Sequence, residues 1–247
     1  MALLEARDVT VRFGGKRALD AASISVEPGS VTGLIGPNGA GKTTLFNVIT
    51  GLLDPDGGEV VLDGRTITKA SPHRRAQLGL ARTFQRLELF TSLSVRDNIR
   101  VAGDIRNSWG VRGLGRSDAQ QEADRVIELT GLGAVADREV AEIPTGQARV
   151  VELARALMTQ PKVLLLDEPA SGQTEQETES FGRLLRRLAS DGLGICLVEH
   201  DMTLVMDVCE TIHVLDYGKA IAAGTPEDIR TNQAVVDAYL GTPEGVG

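Results

Sequence analysis

The chain has 247 residues, 42% of them hydrophobic, and a formal net charge of -8 at pH 7. That length and apolar content support one large core or two smaller ones and argue against a disordered chain, while the acidic balance argues against a broad nucleic-acid footprint. No apolar stretch approaches the ~20 residues needed to cross a bilayer and the N-terminus carries no signal-like hydrophobic core, so a soluble cytoplasmic chain is expected.

From the N-terminus to about Gly58, short alternating stretches such as Ser23-Ile24-Ser25-Val26 are punctuated by Glu27-Pro28-Gly29 and Gly57-Gly58, which is strand and turn chemistry. Within this region an apolar run, Val31 to Ile35, meets Gly36-Pro37-Asn38-Gly39-Ala40-Gly41-Lys42-Thr43. A helical pattern then begins at Thr43, with Leu45, Val48, Ile49 and Leu52 recurring on one face and Gly51 near its end. Val60 to Leu62, Asp63-Gly64 and Arg65 to Ile67 read as a hairpin. An antiparallel sheet is therefore expected beside the glycine-rich loop.

From about Arg86 to Ala156 the period becomes helical, with Val126, Ile127, Leu129 and Leu132 spaced for one face. Inside this region Asn107 to Ser117, rich in Gly and Arg and carrying Trp109, reads as a solvated loop. After Pro161 the runs Val163 to Leu166 and Ile195 to Val198 are continuously apolar, as strands buried on both faces should be. Both end in charge, Asp167-Glu168 and Glu199-His200, at the strand C-termini where open α/β sheets hold ligands. Thr225-Pro226-Glu227-Asp228 opens a capped tail helix that should close near Gly241. Cys196 and Cys209 lie in apolar runs and read as buried free thiols rather than a disulfide or metal site.

A strand that stops at a glycine-rich turn and restarts as a helix leaves backbone N–H groups converging where the helix dipole also favours negative charge. The P-loop pattern thus predicts a nucleoside triphosphate site. Lys42 would reach the β- and γ-phosphates, Thr43 would ligate Mg²⁺, and Thr44 would follow in the same turn. Of the two carboxylates ending the Val163 strand, Asp167 is the candidate metal partner and Glu168 the candidate general base.

In this order the motifs closely resemble the ATPase subunits of ABC transporters over essentially the whole chain. The resemblance implies an α/β fold: a P-loop NTPase (RecA-like) core with an antiparallel β subdomain (1–85 and 157–247) and an inserted helical subdomain (86–156). It also implies roles for further residues. Phe13 takes the place of the aromatic that stacks on adenine, and Gln85 that of the Q-loop glutamine sensing Mg²⁺ and water. Ile143 to Gln147 match the signature loop, whose Thr145, Gly146 and Gln147 would face the nucleotide of a second subunit; His200 matches the switch histidine. His73 and His213 match no such position and read as structural or surface residues. ATP and Mg²⁺ are the implied ligands. Transmembrane permease subunits, a second ATPase subunit (identical or not) and, indirectly, a solute-binding protein are the implied partners, placing the chain at the cytoplasmic face of the membrane. Permease docking is expected near Gln85 to Phe90.

Phe46-Asn47, Arg82-Thr83-Phe84-Gln85, Leu89-Phe90, Asp216-Tyr217-Gly218 and Ala238-Tyr239-Leu240-Gly241 look like the branched-chain amino acid importer branch. Related ATPases for urea, lipids or lipopolysaccharide share some of these. Two departures stand out against the common pattern. Pro144 replaces the signature serine, removing a hydroxyl contact worth about 1.5 to 3 kcal/mol unless Thr145 or a backbone N–H substitutes. Thr174 stands where an aspartate is common, which implies weaker communication between paired sites. A non-transport ABC ATPase acting on DNA or ribosomes is a competing reading, but the chain lacks a second P-loop and any heptad run. A regulatory nucleotide binder is disfavoured by the presence of Glu168 and His200.

Overall fold

The computed structural model describes residues 2–109 and 116–240. Two sheets organise it. The first is antiparallel, in the order β2-β1-β4-β5, built from β1 (Leu4–Phe13), β2 (Lys16–Val26), β4 (Gly57–Leu62) and β5 (Arg65–Thr66). The hairpin expected at Asp63-Gly64 is present, with Leu62 opposite Arg65. The second sheet runs β10-β9-β3-β8-β7-β6, from β3 (Val31–Ile35), β6 (Leu80–Arg82), β7 (Val163–Asp167), β8 (Gly194–Val198), β9 (Thr211–Asp216) and β10 (Lys219–Gly224). All its neighbours pair in parallel except β10, which returns antiparallel on β9.

Side-chain alternation in the central strands divides the interior. Val163 and Leu165 of β7, with Cys196 and Val198 of β8, face a core shared with the antiparallel sheet and with α1 (Lys42–Thr50). Leu164, Leu166, Ile195 and Leu197 face the opposite core, closed by α6 (Glu175–Ser190) and α7 (Met202–Val208). Burial on both faces explains why these runs contain no polar alternation, and each such side chain contributes roughly 1.5 to 3 kcal/mol. Both cysteines are free and buried, and burial pushes the Cys209 thiol up to about 12.

A third core gathers α3 (Val95–Asn107), α4 (Arg116–Leu129) and α5 (Thr145–Met158), with Val95, Ile99, Val126, Ile127, Leu132 and Val151 at its centre. Leu129, expected on the same face as Val126 and Ile127, instead packs toward the α6 side: as the last residue of α4 it lies about 160° around the helix from Ile127. Leu52 likewise leaves the face predicted for it: α1 stops at Thr50, Gly51 takes a left-handed cap at φ 78, and Leu52 beyond it is exposed. The stretch read as a loop narrows, since α3 runs to Asn107 and α4 starts at Arg116; residues 110–115 lie outside the described residues. Trp109 sets its ring edge-on to His73 of the short helix α2 (Pro72–Gln77) at 5.9 Å.

Helix starts follow local chemistry. The Thr174 hydroxyl accepts from the Glu177 N–H and the Glu177 carboxylate accepts from the Thr174 N–H, a complete capping box for α6. The threonine that departs from the family pattern thus starts a helix. Thr225 and Asp228 form the corresponding box at α8 (Pro226–Thr231), with Pro226 in the first turn as expected. Helix α9 (Gln233–Leu240) follows; the expected stop at Gly241 falls outside the described residues. Among the described residues no helix is long and apolar enough to cross a membrane.

Candidate nucleotide site

The loop from Gly36 to Gly41 leaves the C-terminal end of β3 and feeds α1. Glycine is obligatory at two of its positions. At Gly36 (φ 148) a Cβ would lie 2.0 Å from the Leu215 carbonyl oxygen, and at Gly41 (φ 108) it would meet Leu19 Cδ2 at 2.8 Å and the Ala18 carbonyl at 2.9 Å. Gly41 occupies the N-cap of α1 and supplies no side-chain cap, unlike the Ser94, Thr174 and Thr225 caps of α3, α6 and α8. The first-turn N–H groups of α1 are therefore available to an anion. Lys42 Nζ folds onto the loop, donating to the Gly36 carbonyl at 2.5 Å and the Pro37 carbonyl at 3.1 Å. Burial lowers its pKa, against the opposing pull of Glu168 and Asp167. Among the described residues no carboxylate forms an ion pair with it.

These groups open on a cavity of about 580 Å³. Of the residues singled out in the sequence, Phe13, Asn38, Gly39, Ala40, Gly41, Lys42, Thr43, Thr44, Gln85, Glu168 and His200 line it. Gly36 and Pro37 sit behind the lining, as the carbonyls that hold Lys42. Glu168 follows β7 at φ 50, a left-handed conformation closed by its own N–H donating to the Val198 carbonyl at 2.9 Å. The twist aims its carboxylate at two partners from distant segments. Gln85 Nε2 donates to Oε2 at 2.9 Å, and His200 Nε2 lies 3.0 Å from Oε1.

Asp167 does not reach the cavity wall. It is 3% exposed, and its Oδ2 accepts from Arg82 at 2.8 Å. The same guanidinium donates to Asn47 Oδ1 at 2.6 Å and stands over the Phe46 and Phe84 rings at 5.4 and 5.1 Å. The sequence displayed Arg82 within Arg-Thr-Phe-Gln but gave no sign of its partner, 85 positions away. Glu199 stands in the sequence only as part of the charged end of β8, with no role attached. Buried, with its pKa raised by desolvation, it accepts from the Ala170 N–H at 2.7 Å and the His200 N–H at 3.0 Å, fastening the loop after β7 to the loop that carries His200.

Thr145, Gly146 and Gln147 are not brought to this cavity. They form the first turn of α5 after Pro144, where Gly146 faces Gln173 and Glu177 so closely that a Cβ would touch both at 3.2 Å. One turn further, Arg149 donates to the Phe84 carbonyl at 3.1 Å and the Gln85 carbonyl at 2.5 Å, and pairs with Glu152 at 3.2 Å. Glu152 in turn accepts from the Glu88 N–H at 2.8 Å, and burial raises its pKa. The segment bearing Gln85 is thus held by α5, while Phe84, Leu87 and Phe90 remain exposed beside it.

Comparison with known proteins accounts for this arrangement. Residues 19–171 match the ABC transporter family model, and residues 221–245 match the model described as branched-chain amino acid ATP-binding cassette transporter. The high-affinity branched-chain amino acid transport ATP-binding protein BraF of Pseudomonas aeruginosa is 39% identical across 97% of this chain and 98% of its own length. The lipopolysaccharide export system ATP-binding protein LptB of Haemophilus influenzae is 33% identical across 98% of each. Among solved structures, a nucleotide-free ATP-binding cassette from an ABC transporter superposes with TM-score 0.86 at 30% identity, covering 98% of this chain and all of that one. The ADP conformation of such a cassette superposes with TM-score 0.85 at 30% identity, with the same coverage. On the family match, the identity along nearly the full length and the P-loop core, this chain belongs to the ATP-binding proteins of ABC transporters.

Proposed function

We propose that this chain hydrolyses ATP to energise the uptake of branched-chain or related amino acids, acting on separate membrane-spanning permease subunits and pairing with a second ATPase subunit. The observation that carries the hydrolytic reading is the Glu168 carboxylate, fixed between Gln85 and His200 at the wall of the P-loop cavity. A water placed against it loses its proton to Glu168 as its oxygen attacks the γ-phosphorus, the bond to the β–γ bridging oxygen breaks, and ADP and phosphate result. His200 orients that water and the γ-phosphate. Lys42 and the N-terminal N–H groups of α1 neutralise phosphate charge, and Phe13 stacks on the base.

The oxygens on the cavity wall suit Mg²⁺, a hard cation that prefers oxygen: the Thr43 hydroxyl and the Gln85 amide. The Asp167 carboxylate, paired with Arg82 behind the wall, would join them only on leaving that guanidinium. When bound there, the ion would withdraw charge from the phosphates. Thr145, Gly146 and Gln147, remote from this cavity, suit contact with the nucleotide of the second subunit. The exposed Phe84, Leu87 and Phe90 suit a permease.

Amino-acid uptake is supported by the match at residues 221–245 and by the BraF likeness, whereas the LptB likeness supports lipopolysaccharide export. Capture from native membranes in mild detergent, with magnesium and a non-hydrolysable ATP analogue, separates the readings. Multi-span permeases and a second ATPase are expected, together with loss of labelled leucine uptake in cells carrying Lys42→Ala. Normal leucine uptake in those cells, or recovery with ribosomes and no membrane subunit, would overturn the assignment.

A further inference from the structure

Two hairpin turns reach the nucleotide cavity, and each contributes an aromatic residue to its lining. Phe13 closes β1, opposite Lys16 across Gly14-Gly15; Tyr217 follows β9 in the two-residue turn between Asp216 and Lys219. The second aromatic is an unusual choice. Tyr217 and Gly218 have φ of 42 and 79, so the turn needs a left-handed conformation at both central positions, where Asn, Asp and Gly are favoured. At another such turn the chain uses Asp63-Gly64, with φ of 50 and 71. A bulky side chain at positive φ is strained, and Tyr217 is the one aromatic among the described non-glycine residues in that region.

Burial does not explain the choice either, because Tyr217 is 82% exposed and belongs to none of the three cores. Its position is nevertheless tightly defined. The Gly218 N–H donates to the carbonyl of Ala40 in the P-loop at 2.9 Å, and the Gly218 carbonyl accepts from the Asp20 N–H at 2.9 Å. A Cβ on Gly218 would lie 2.5 Å from the Ala18 carbonyl, so the turn is seated directly against β2. An exposed aromatic held in a strained turn that is bonded to the P-loop is a side chain kept for a ligand.

We infer that Tyr217 is a second nucleoside-binding residue, which together with Phe13 contacts the base and ribose of the nucleotide whose phosphates lie on the P-loop. The inference rests on the nucleotide reading above and extends it to a residue that the P-loop pattern does not include. The turn is then tuned for binding at the expense of its own stability. Replacing the aromatic with a residue suited to the turn should separate the two effects.

The test uses the full chain, with calorimetric titration of ATP and of inorganic triphosphate, and thermal melts without ligand. Tyr217→Asn should weaken ATP binding about tenfold, as loss of one aromatic–base stack does. It should leave triphosphate affinity within about twofold and raise the melting temperature by roughly 2 to 4 °C. Tyr217→Phe should retain ATP affinity within about twofold. Unchanged ATP affinity in Tyr217→Asn would overturn the inference, and so would a parallel loss for ATP and triphosphate, which would mean that the turn had shifted the P-loop through Ala40. A lower melting temperature would overturn the strain argument. If wild type and Lys42→Ala bind ATP equally, the nucleotide reading itself fails, and this inference with it.

Discussion

Arg82→Met isolates the buried charge pair beneath the nucleotide cavity. The side chains of Arg82 and Asp167 are 5% and 4% exposed and meet at 2.8 Å, so removing the guanidinium strands a carboxylate that water barely reaches. Breaking such a pair from one side costs about 3 to 5 kcal/mol. Methionine keeps a flexible thioether between Phe46 and Phe84, which retains part of the contact those rings make with the guanidinium. A net loss of about 4 kcal/mol corresponds to a fall in melting temperature of roughly 8 to 16 °C for a chain of this size. Most of that loss is the stranded charge rather than the missing attraction. Adding Asp167→Asn to Arg82→Met should therefore restore at least about half of it. Calorimetric melts of wild type, both single variants and the double variant close the cycle. Losses that simply add, with no coupling between the two sites, would refute the view that the pair is one electrostatic unit.

Three further outcomes follow from the site and the core. Glu168→Gln should retain ATP affinity while hydrolysis falls by at least about 10²-fold, because the amide keeps a polar contact but cannot take a proton; steady-state phosphate release beside nucleotide titration measures both, and normal turnover would remove Glu168 as the base. Phe13→Ala should weaken ATP binding about tenfold with a smaller effect on turnover at saturation, since stacking is lost and the phosphate contacts are kept; an unchanged ATP affinity would remove Phe13 from the site. Burial in β9 holds the His213 pKa below its ordinary 6.5. The unfolded chain then binds more protons as pH falls below that value, so this contribution to stability is complete above 6.5 and lost on acidification. His213→Gln should flatten the fall in melting temperature between about pH 7 and pH 5.5, and equal slopes for the two proteins would exclude the histidine as its source.

What could be read from the sequence was local. The glycine spacing of the P-loop, the apolar runs of β7 and β8, and the capping box at Thr225 each lie within a few residues of the element they specify. The same holds for Asp63-Gly64, whose turn needs no information from elsewhere. Features that join distant segments were not legible. Nothing near Arg82 announces Asp167, nothing in α5 announces that Arg149 holds the Gln85 carbonyl, and Tyr217 gives no local reason for facing the P-loop. Leu52 misled for the converse reason: its spacing continued a helical period past the end of α1, whereas Leu129 stays in α4 but lies on the side facing α6.

Helix α5 gives the site a mechanical property. Arg149 grips the carbonyls of residues 84 and 85 from a position one turn behind residues 145–147, about 6 Å along the helix axis. The grip is buried and backed by Glu152, which also holds the Glu88 N–H. A movement of the Gln85 backbone relative to Glu168 therefore has little slack to absorb it and displaces the tip of α5 as well. One buried side chain therefore joins the backbone beside Gln85 to the N-terminal turn of α5, so the two segments hold their spacing as a single unit.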